Sequence, residues 1–165
     1  MHISDLGNML SSDDVAERRR AAELLSQNAD VAADVAVELV RGVGDADRQV
    51  SEYCVATLEE LGEPAPSHLE PLSELATSDN ADVAYWAVTL MGRAGVTCAE
   101  HSMLLGDIVA SDAESQVRER AAWALGRIGP AAVVAVPQLE SCQDAEPDSV
   151  ARAATKALDA IENSE

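Results

Sequence analysis

The sequence predicts an all-α protein built from about five stacked helix pairs. Val50, Val83, Val117 and Val150 recur every 33 or 34 residues, a period that is typical of repeat architectures. Apolar residues follow each valine at offsets of 4, 8 and 11, which places them on one stripe of an α-helix. Only 2% of the residues are aromatic, and an alanine- and leucine-rich chain favours closely packed helices over sheets.

The second helix of each pair carries this stripe, and its clearest copy runs from Val117 to Gly129. Small residues at offset 4 allow a neighbouring helix to approach closely. A degenerate first copy has Glu17 in place of the valine, and Val15 is expected to substitute for it through a slipped turn. The column at offset 4 holds Cys54, Ala87, Ala121 and Ala154, the column at offset 8 holds Leu58, Met91, Leu125 and Leu158, and the column at offset 11 holds Leu61, Ala94, Ile128 and Ile161.

The first helices of the pairs are predicted from the apolar residues between these stripes. They cover Ile3 to Leu10 and about residues 31–43, 67–77, 98–110 and 131–142. Pro71 and Pro137 fall at matching places and predict a kink. The side chains of the first helices that are predicted to face the core are Val35, Val37, Leu39, Val40, Leu69, Leu72, Leu75, Ala76, Met103, Leu104, Leu105, Ile108, Val133, Val134, Val136 and Leu139.

The ends of the helices and the repeats follow from local signals. Aspartate is a good N-cap, and one falls at or just before each predicted second helix. The resulting repeats cover about residues 1–28, 29–62, 63–95, 96–129 and 130–165 of a single domain. The capping aspartates are Asp13, Asp47, Asp82, Asp112 and Asp148, and the closing glycines are Gly62, Gly95 and Gly129.

Charge restricts the classes of partner. The formal net charge of −19 repels phosphate backbones and anionic lipid, so neither nucleic acid nor a membrane is expected as a partner. The acidity fits solubility, attraction to a basic partner, or a saline habitat. Three well-separated cysteines and the lack of a leader-like or membrane-spanning run predict free buried thiols in a cytoplasmic protein.

The segments from Val117 to Gly129 and from Val83 to Gly95 resemble HEAT repeats of the short bacterial and archaeal type that is also seen in phycobilisome lyases. The resemblance implies a right-handed α-α superhelix whose second helices line the concave face. One departure concerns the arginine that follows the valine, which is present only as Arg118. A ladder of Asp–Arg pairs between adjacent turns is therefore expected to be mostly missing.

The outward positions of the second helices are the predicted partner-binding surface. Glu119 and Trp123 point away from the buried stripe, and Tyr85 occupies the column of Glu119. Tyrosine and tryptophan are enriched in binding hot spots, although Trp123 could equally pack against a neighbouring helix. A basic or amphipathic partner is expected to place its cation beside these rings. The predicted binding residues are Glu52, Tyr85, Thr89, Glu119, Trp123 and Arg127.

The sequence favours a non-enzymatic scaffold that binds a protein or peptide as a monomer or weak homodimer. It contains no phosphate-binding glycine loop and no nucleophile motif. His2, His68 and His101 lack the spacing of a metal site, so no catalytic residue, metal or cofactor is predicted. The resemblance leaves one alternative open, a bilin lyase-like or chaperone subunit that acts on a tetrapyrrole-carrying protein.

Overall fold

A computed structural model describes residues 2–163, and backbone contacts divide the chain into two compact units, Met1–Pro71 and Leu72–Glu165. All regular secondary structure within residues 2–163 is helical. The all-α prediction is therefore confirmed.

In the first unit, α2 packs against α5 and α1 packs against both α2 and α4. A short helix, α6, begins in the first unit and ends in the second. The bounds are α1 Ile3–Met9, α2 Val15–Ser26, α3 Ala29–Ala32, a 3-10 turn Ala33–Val35, α4 Ala36–Val43, α5 Arg48–Glu60, a 3-10 turn Pro66–His68 and α6 Leu69–Leu75.

In the second unit, α7, α9 and α11 contact one another in succession and form what we call the second-helix layer. Helix α8 packs against both α9 and α10 behind this layer. The bounds are α7 Ala81–Arg93, a 3-10 segment Gly95–His101, α8 Ser102–Val109, α9 Ser115–Ile128, a 3-10 segment Gly129–Ala135, α10 Val136–Ser141 and α11 Asp148–Asn163.

The predicted stripe of the second helices forms the core in both units. All four valines that mark the period, and every member of the columns at offsets 4, 8 and 11, are buried. In the degenerate first copy, Ala21 and Leu25 are fully buried, but Val15 is exposed and does not replace the missing valine. The predicted stripe is thus confirmed in the four copies that carry the valine.

The first helices differ from the prediction because most of them begin as 3-10 helix. A 3-10 helix has 3.0 residues per turn, so side chains assigned at 3.6 residues per turn point elsewhere. Val133 and Val134, in the segment Gly129–Ala135, are 65% and 46% exposed instead of inward. Met103 is also 46% exposed, but it lies in the α-helix α8, where it is about 200° around the axis from the buried Leu105. Leu105 and Ile108 are buried as predicted.

The two prolines do not kink a continuous helix. Pro71 and Pro137 lie in the first turns of α6 and α10, where a missing backbone N–H removes no intrahelical hydrogen bond. The 3-10 segments Ala33–Val35 and Gly95–His101 contain no proline. The break within the first helices is therefore a feature of the repeat and does not require proline.

Side-chain caps start three of the second helices. Asp14 accepts from the N–H of Ala16, Asp47 from that of Val50, and Asn80 from those of Asp82 and Val83. Asn80 thus takes the capping role predicted for Asp82, and the N-cap of α9 is Glu114 rather than Asp112, without a side-chain bond. Past the ends of α7 and α9, Gly95 and Gly129 have φ of 59° and 76°, which favours glycine.

Two arginines of α2 tie this helix to the segment that precedes α5. The Arg18 guanidinium donates to the Asp45 carboxylate at 2.8 Å, and that of Arg19 donates to Asp47 at 2.6 Å. Hydrogen bonding from Arg19 lowers the pKa of Asp47 to about 2. Arg18 occupies the same position in the repeat as Arg118. The first copy therefore contains one Asp–Arg pair of the expected ladder, although it lacks the valine from which the copies are counted.

Candidate functional site

One arginine joins the aromatic side chains of the second-helix layer. The Cζ atom of Arg120 lies 4.8 Å from the ring centroid of Tyr85 and 4.7 Å from that of Trp123, within the range of a cation–π interaction. Its guanidinium also donates to the Tyr85 hydroxyl. Arg120 therefore links α7 to α9 and holds both rings in place.

Trp86 extends this cluster along α7. Its ring meets that of Tyr85 edge to face, with centroids 5.8 Å apart and an interplanar angle of 85°. The Arg93 guanidinium lies 5.7 Å from the centre of the Trp86 ring. We call Tyr85, Trp86, Arg120 and Trp123 the aromatic–arginine cluster.

The indole of Trp123 packs directly on the backbone of α7 at Gly92. A Cβ atom added to Gly92 would lie 2.3 Å from Cζ3 of Trp123, far inside van der Waals contact. Trp123 is half-buried, whereas the sequence predicts an exposed side chain. The ring thus packs against the preceding second helix and also keeps a solvent-facing side.

That side of Trp123 forms one wall of an open groove of about 410 Å³ between α9 and α11. Small residues make the floor, which lets the two helices approach closely. Two exposed cations, Arg127 of α9 and Lys156 of α11, stand along the groove. The small residues that line it include Gly126, Ala153, Ala157 and Ala160.

The predicted binding residues fall into different environments. Tyr85 and Glu119 are half-buried, and Arg127 is exposed. Thr89 is wrong as a surface residue, because it is 4% exposed and its hydroxyl donates to the Tyr85 carbonyl.

Glu52 belongs to the first unit, where it is exposed on α5. Its carboxylate accepts from Nε of Arg48 at 2.7 Å. This is a solvent-exposed pair within one helix, of a kind that contributes little to stability. Glu52 therefore remains accessible in the first unit.

Sequence reasoning missed Arg120, although its position offered a signal. Arg120 and Trp123 are three residues apart on α9, so their side chains lie on neighbouring parts of the helix surface. The contact with Tyr85 crosses 35 residues of sequence and requires the packing of α7 on α9. A helical wheel of one repeat does not contain that information.

Other reactive groups lie away from this surface. Cys54, Cys98 and Cys142 are free and buried, and burial raises the pKa of Cys54 and Cys98 to about 12. The thiols of Cys54 and Cys98 therefore stay protonated at neutral pH and are poor nucleophiles. Within residues 2–163, no group of three histidine, cysteine, aspartate or glutamate side chains is arranged to hold a metal ion.

The helices of the described segment are also too short or too polar to cross a lipid bilayer.

Solved structures with the same fold include engineered and natural proteins. Two engineered proteins align with TM-scores of 0.62 and 0.65 at 20% identity, over 98% of this chain and 80% and 81% of theirs. The complex of CpcE and CpcF of phycocyanin lyase from Nostoc sp. aligns with a TM-score of 0.65 at 20% identity, over 98% of this chain. This chain spans 65% of that one. At such identities the likeness concerns the fold alone.

Sequence comparison identifies the family. Among curated proteins, none matches the chain. The family model described as HEAT repeats matches residues 69–159, more than half of the chain and the whole second-helix layer up to the last turn of α11. The chain therefore belongs to the HEAT-repeat family.

Proposed function

We propose that this protein is a non-enzymatic scaffold that binds a partner protein or peptide along its second-helix layer. One observation carries the proposal: Arg120 contacts the rings of both Tyr85 and Trp123, and Trp123 lines an open groove. Binding energy concentrates where aromatic and arginine side chains are already ordered, because less conformational freedom is lost on association.

The finer features of this proposal follow from the charge and the cysteines. The net charge of −19 disfavours nucleic acid and anionic membranes as partners. Buried free thiols suit a reducing compartment, and we propose a cytoplasmic protein that acts as a monomer or weak homodimer. The predicted binding residues Tyr85, Glu119, Trp123 and Arg127 belong to the proposed surface, and Glu52 extends the proposal to the first unit.

Affinity capture from a lysate of the source organism tests this proposal. We expect the wild type to retain at least one protein that Arg127→Ala and Trp123→Ala both lose, as measured by quantitative mass spectrometry. Arg127 is exposed, so its truncation leaves the fold intact even if Trp123→Ala is destabilised. Val133→Ala removes an exposed apolar side chain elsewhere in the second unit and serves as the control. Identical capture profiles for all four proteins would contradict the proposal.

A second candidate function is suggested by the structural likeness to a phycocyanin lyase subunit. In that case the protein would act on a tetrapyrrole-carrying partner as a lyase or chaperone. Mixing with bilin distinguishes the two functions, because a shifted visible absorption band is expected of the lyase-like protein and an unchanged spectrum of the scaffold.

A further inference from the structure

The charge at the groove between α9 and α11 is opposite to that of the whole chain. Although the net charge is −19, the two charged residues that line the groove, Arg127 and Lys156, are both cations. At physiological salt, exposed charges act over about 8 Å, so a ligand in the groove responds to these neighbours more than to distant acids. Arg152 and Asp159 line an adjacent pocket of α11 together with Lys156.

The aromatic faces are already occupied by a cation from the chain itself. Arg120 lies against the rings of Tyr85 and Trp123 and donates to the Tyr85 hydroxyl. A lysine or arginine of a partner would have to displace Arg120 to reach the ring faces that Arg120 covers, and is otherwise left only the side of Trp123 that faces the groove. It would also approach Arg127 and Lys156, which stand along the groove.

Apolar surface and positive charge therefore coincide at one place. Trp123 and the small residues of α9 and α11 form an apolar trough, and Arg127 and Lys156 flank it from opposite helices. A chain segment that places one apolar side chain in the trough and carboxylates on either side would satisfy both features. Arginine and lysine at the rim attract such carboxylates and select against basic segments.

Resting on the proposed function, we infer that the groove between α9 and α11 binds an acidic peptide segment of a partner protein, with an apolar side chain against Trp123. This reverses, for the second unit, the expectation of a basic partner. Nucleic acid fits less well, because a polyanion extends beyond the groove into the field of the acidic chain.

Selection from a random displayed peptide library tests the chemistry of the occupant. Wild-type protein is expected to enrich peptides in which aspartate or glutamate flanks an apolar residue. The double variant Arg127→Glu/Lys156→Glu is expected to lose this acidic bias. The double variant Arg20→Glu/Arg41→Glu makes the same change in net charge at exposed positions of the first unit and should retain the bias.

Fluorescence anisotropy then measures one selected peptide and a short single-stranded RNA. We expect the Kd of the peptide to rise about tenfold or more in Arg127→Glu/Lys156→Glu, since two exposed ion pairs become repulsive, and to change less than twofold in the control. Enrichment of basic peptides, absence of enrichment, an unaffected Kd, or tighter binding of the RNA would overturn the inference. If capture from the lysate still depends on Trp123, the scaffold function survives that failure; if capture does not depend on Trp123, the scaffold function itself fails.

Discussion

Gly92→Ala is expected to destabilise the second unit by about 1–3 kcal/mol, the usual cost of forcing extra atoms into a packed site. The new methyl group would lie 2.3 Å from Trp123 Cζ3. The indole cannot retreat without leaving the guanidinium of Arg120, which lies 4.7 Å from its ring centroid. Urea denaturation followed by circular dichroism gives the change in the free energy of unfolding, and tryptophan fluorescence reports the displaced ring.

The chain supplies a matched control one repeat later. Gly126 occupies the same helix position, but an added Cβ would lie 3.6 Å from Cα of Ala157 and 3.7 Å from Cβ of Ala160, which are ordinary contacts. Alanine favours a helix interior over glycine by about 1 kcal/mol. Gly126→Ala should therefore be neutral or stabilising by up to about 1 kcal/mol.

A double-mutant cycle tests whether the indole of Trp123 causes the loss of stability in Gly92→Ala. Trp123→Leu removes the ring atoms that the methyl group of Gly92→Ala would meet. The penalty of Gly92→Ala should accordingly shrink by at least 1 kcal/mol in the Trp123→Leu background, within the range of coupling found for residues in contact. Equal penalties in both backgrounds would show that Trp123 does not pack on Gly92.

Leu125→Ala is expected to cost about 2–5 kcal/mol, as found for buried leucines in general. Leu125 is fully buried on α9, which packs against α7, α8 and α11. The cavity would therefore weaken contacts to several helices at once, and the loss should appear as a lower urea midpoint.

Val133→Ala is the control for Leu125→Ala, because it also truncates an aliphatic side chain of the second unit. Val133 is 65% exposed, so its truncation should change the free energy of unfolding by less than about 0.5 kcal/mol. The period and burial pattern would be in error if Leu125→Ala unfolded at the urea concentration of the parent, or if Val133→Ala were equally damaging.

Leu125 and Val133 show which features of the fold the sequence predicts and which it does not. The burial of Leu125 follows from the repeat period and the 3.6-residue turn of a regular helix. The exposure of Val133 does not, because Val133 lies in the 3-10 segment Gly129–Ala135 and a switch to 3-10 geometry at the start of a first helix carries no strong residue signal. Proline is not that signal, since the segment Gly95–His101 is 3-10 without one.

In the candidate site, too, the sequence predicts the positions on a single helix but not the contacts between helices. Helical offsets predict that Trp123, Tyr85 and Arg127 lie off the buried stripe, and they do. The same offsets place Thr89 on the surface, which is wrong because Thr89 is 4% exposed and its hydroxyl donates to the Tyr85 carbonyl. Contacts between repeats, such as Trp123 on Gly92 or Arg120 between two rings, depend on how far one helix lies from the next, and one repeat considered alone does not contain that distance.

The indole N–H resonances of the two tryptophans test most directly whether the groove binds the partner. In a titration of isotope-labelled protein with the captured partner or a selected peptide, the Trp123 signal should shift and saturate. The Trp86 signal, identified by its loss in Trp86→Phe, should move much less, because Trp86 does not line the groove. A Trp123 signal that stays in place at saturation, or a shift confined to Trp86, would contradict binding at the Trp123 groove.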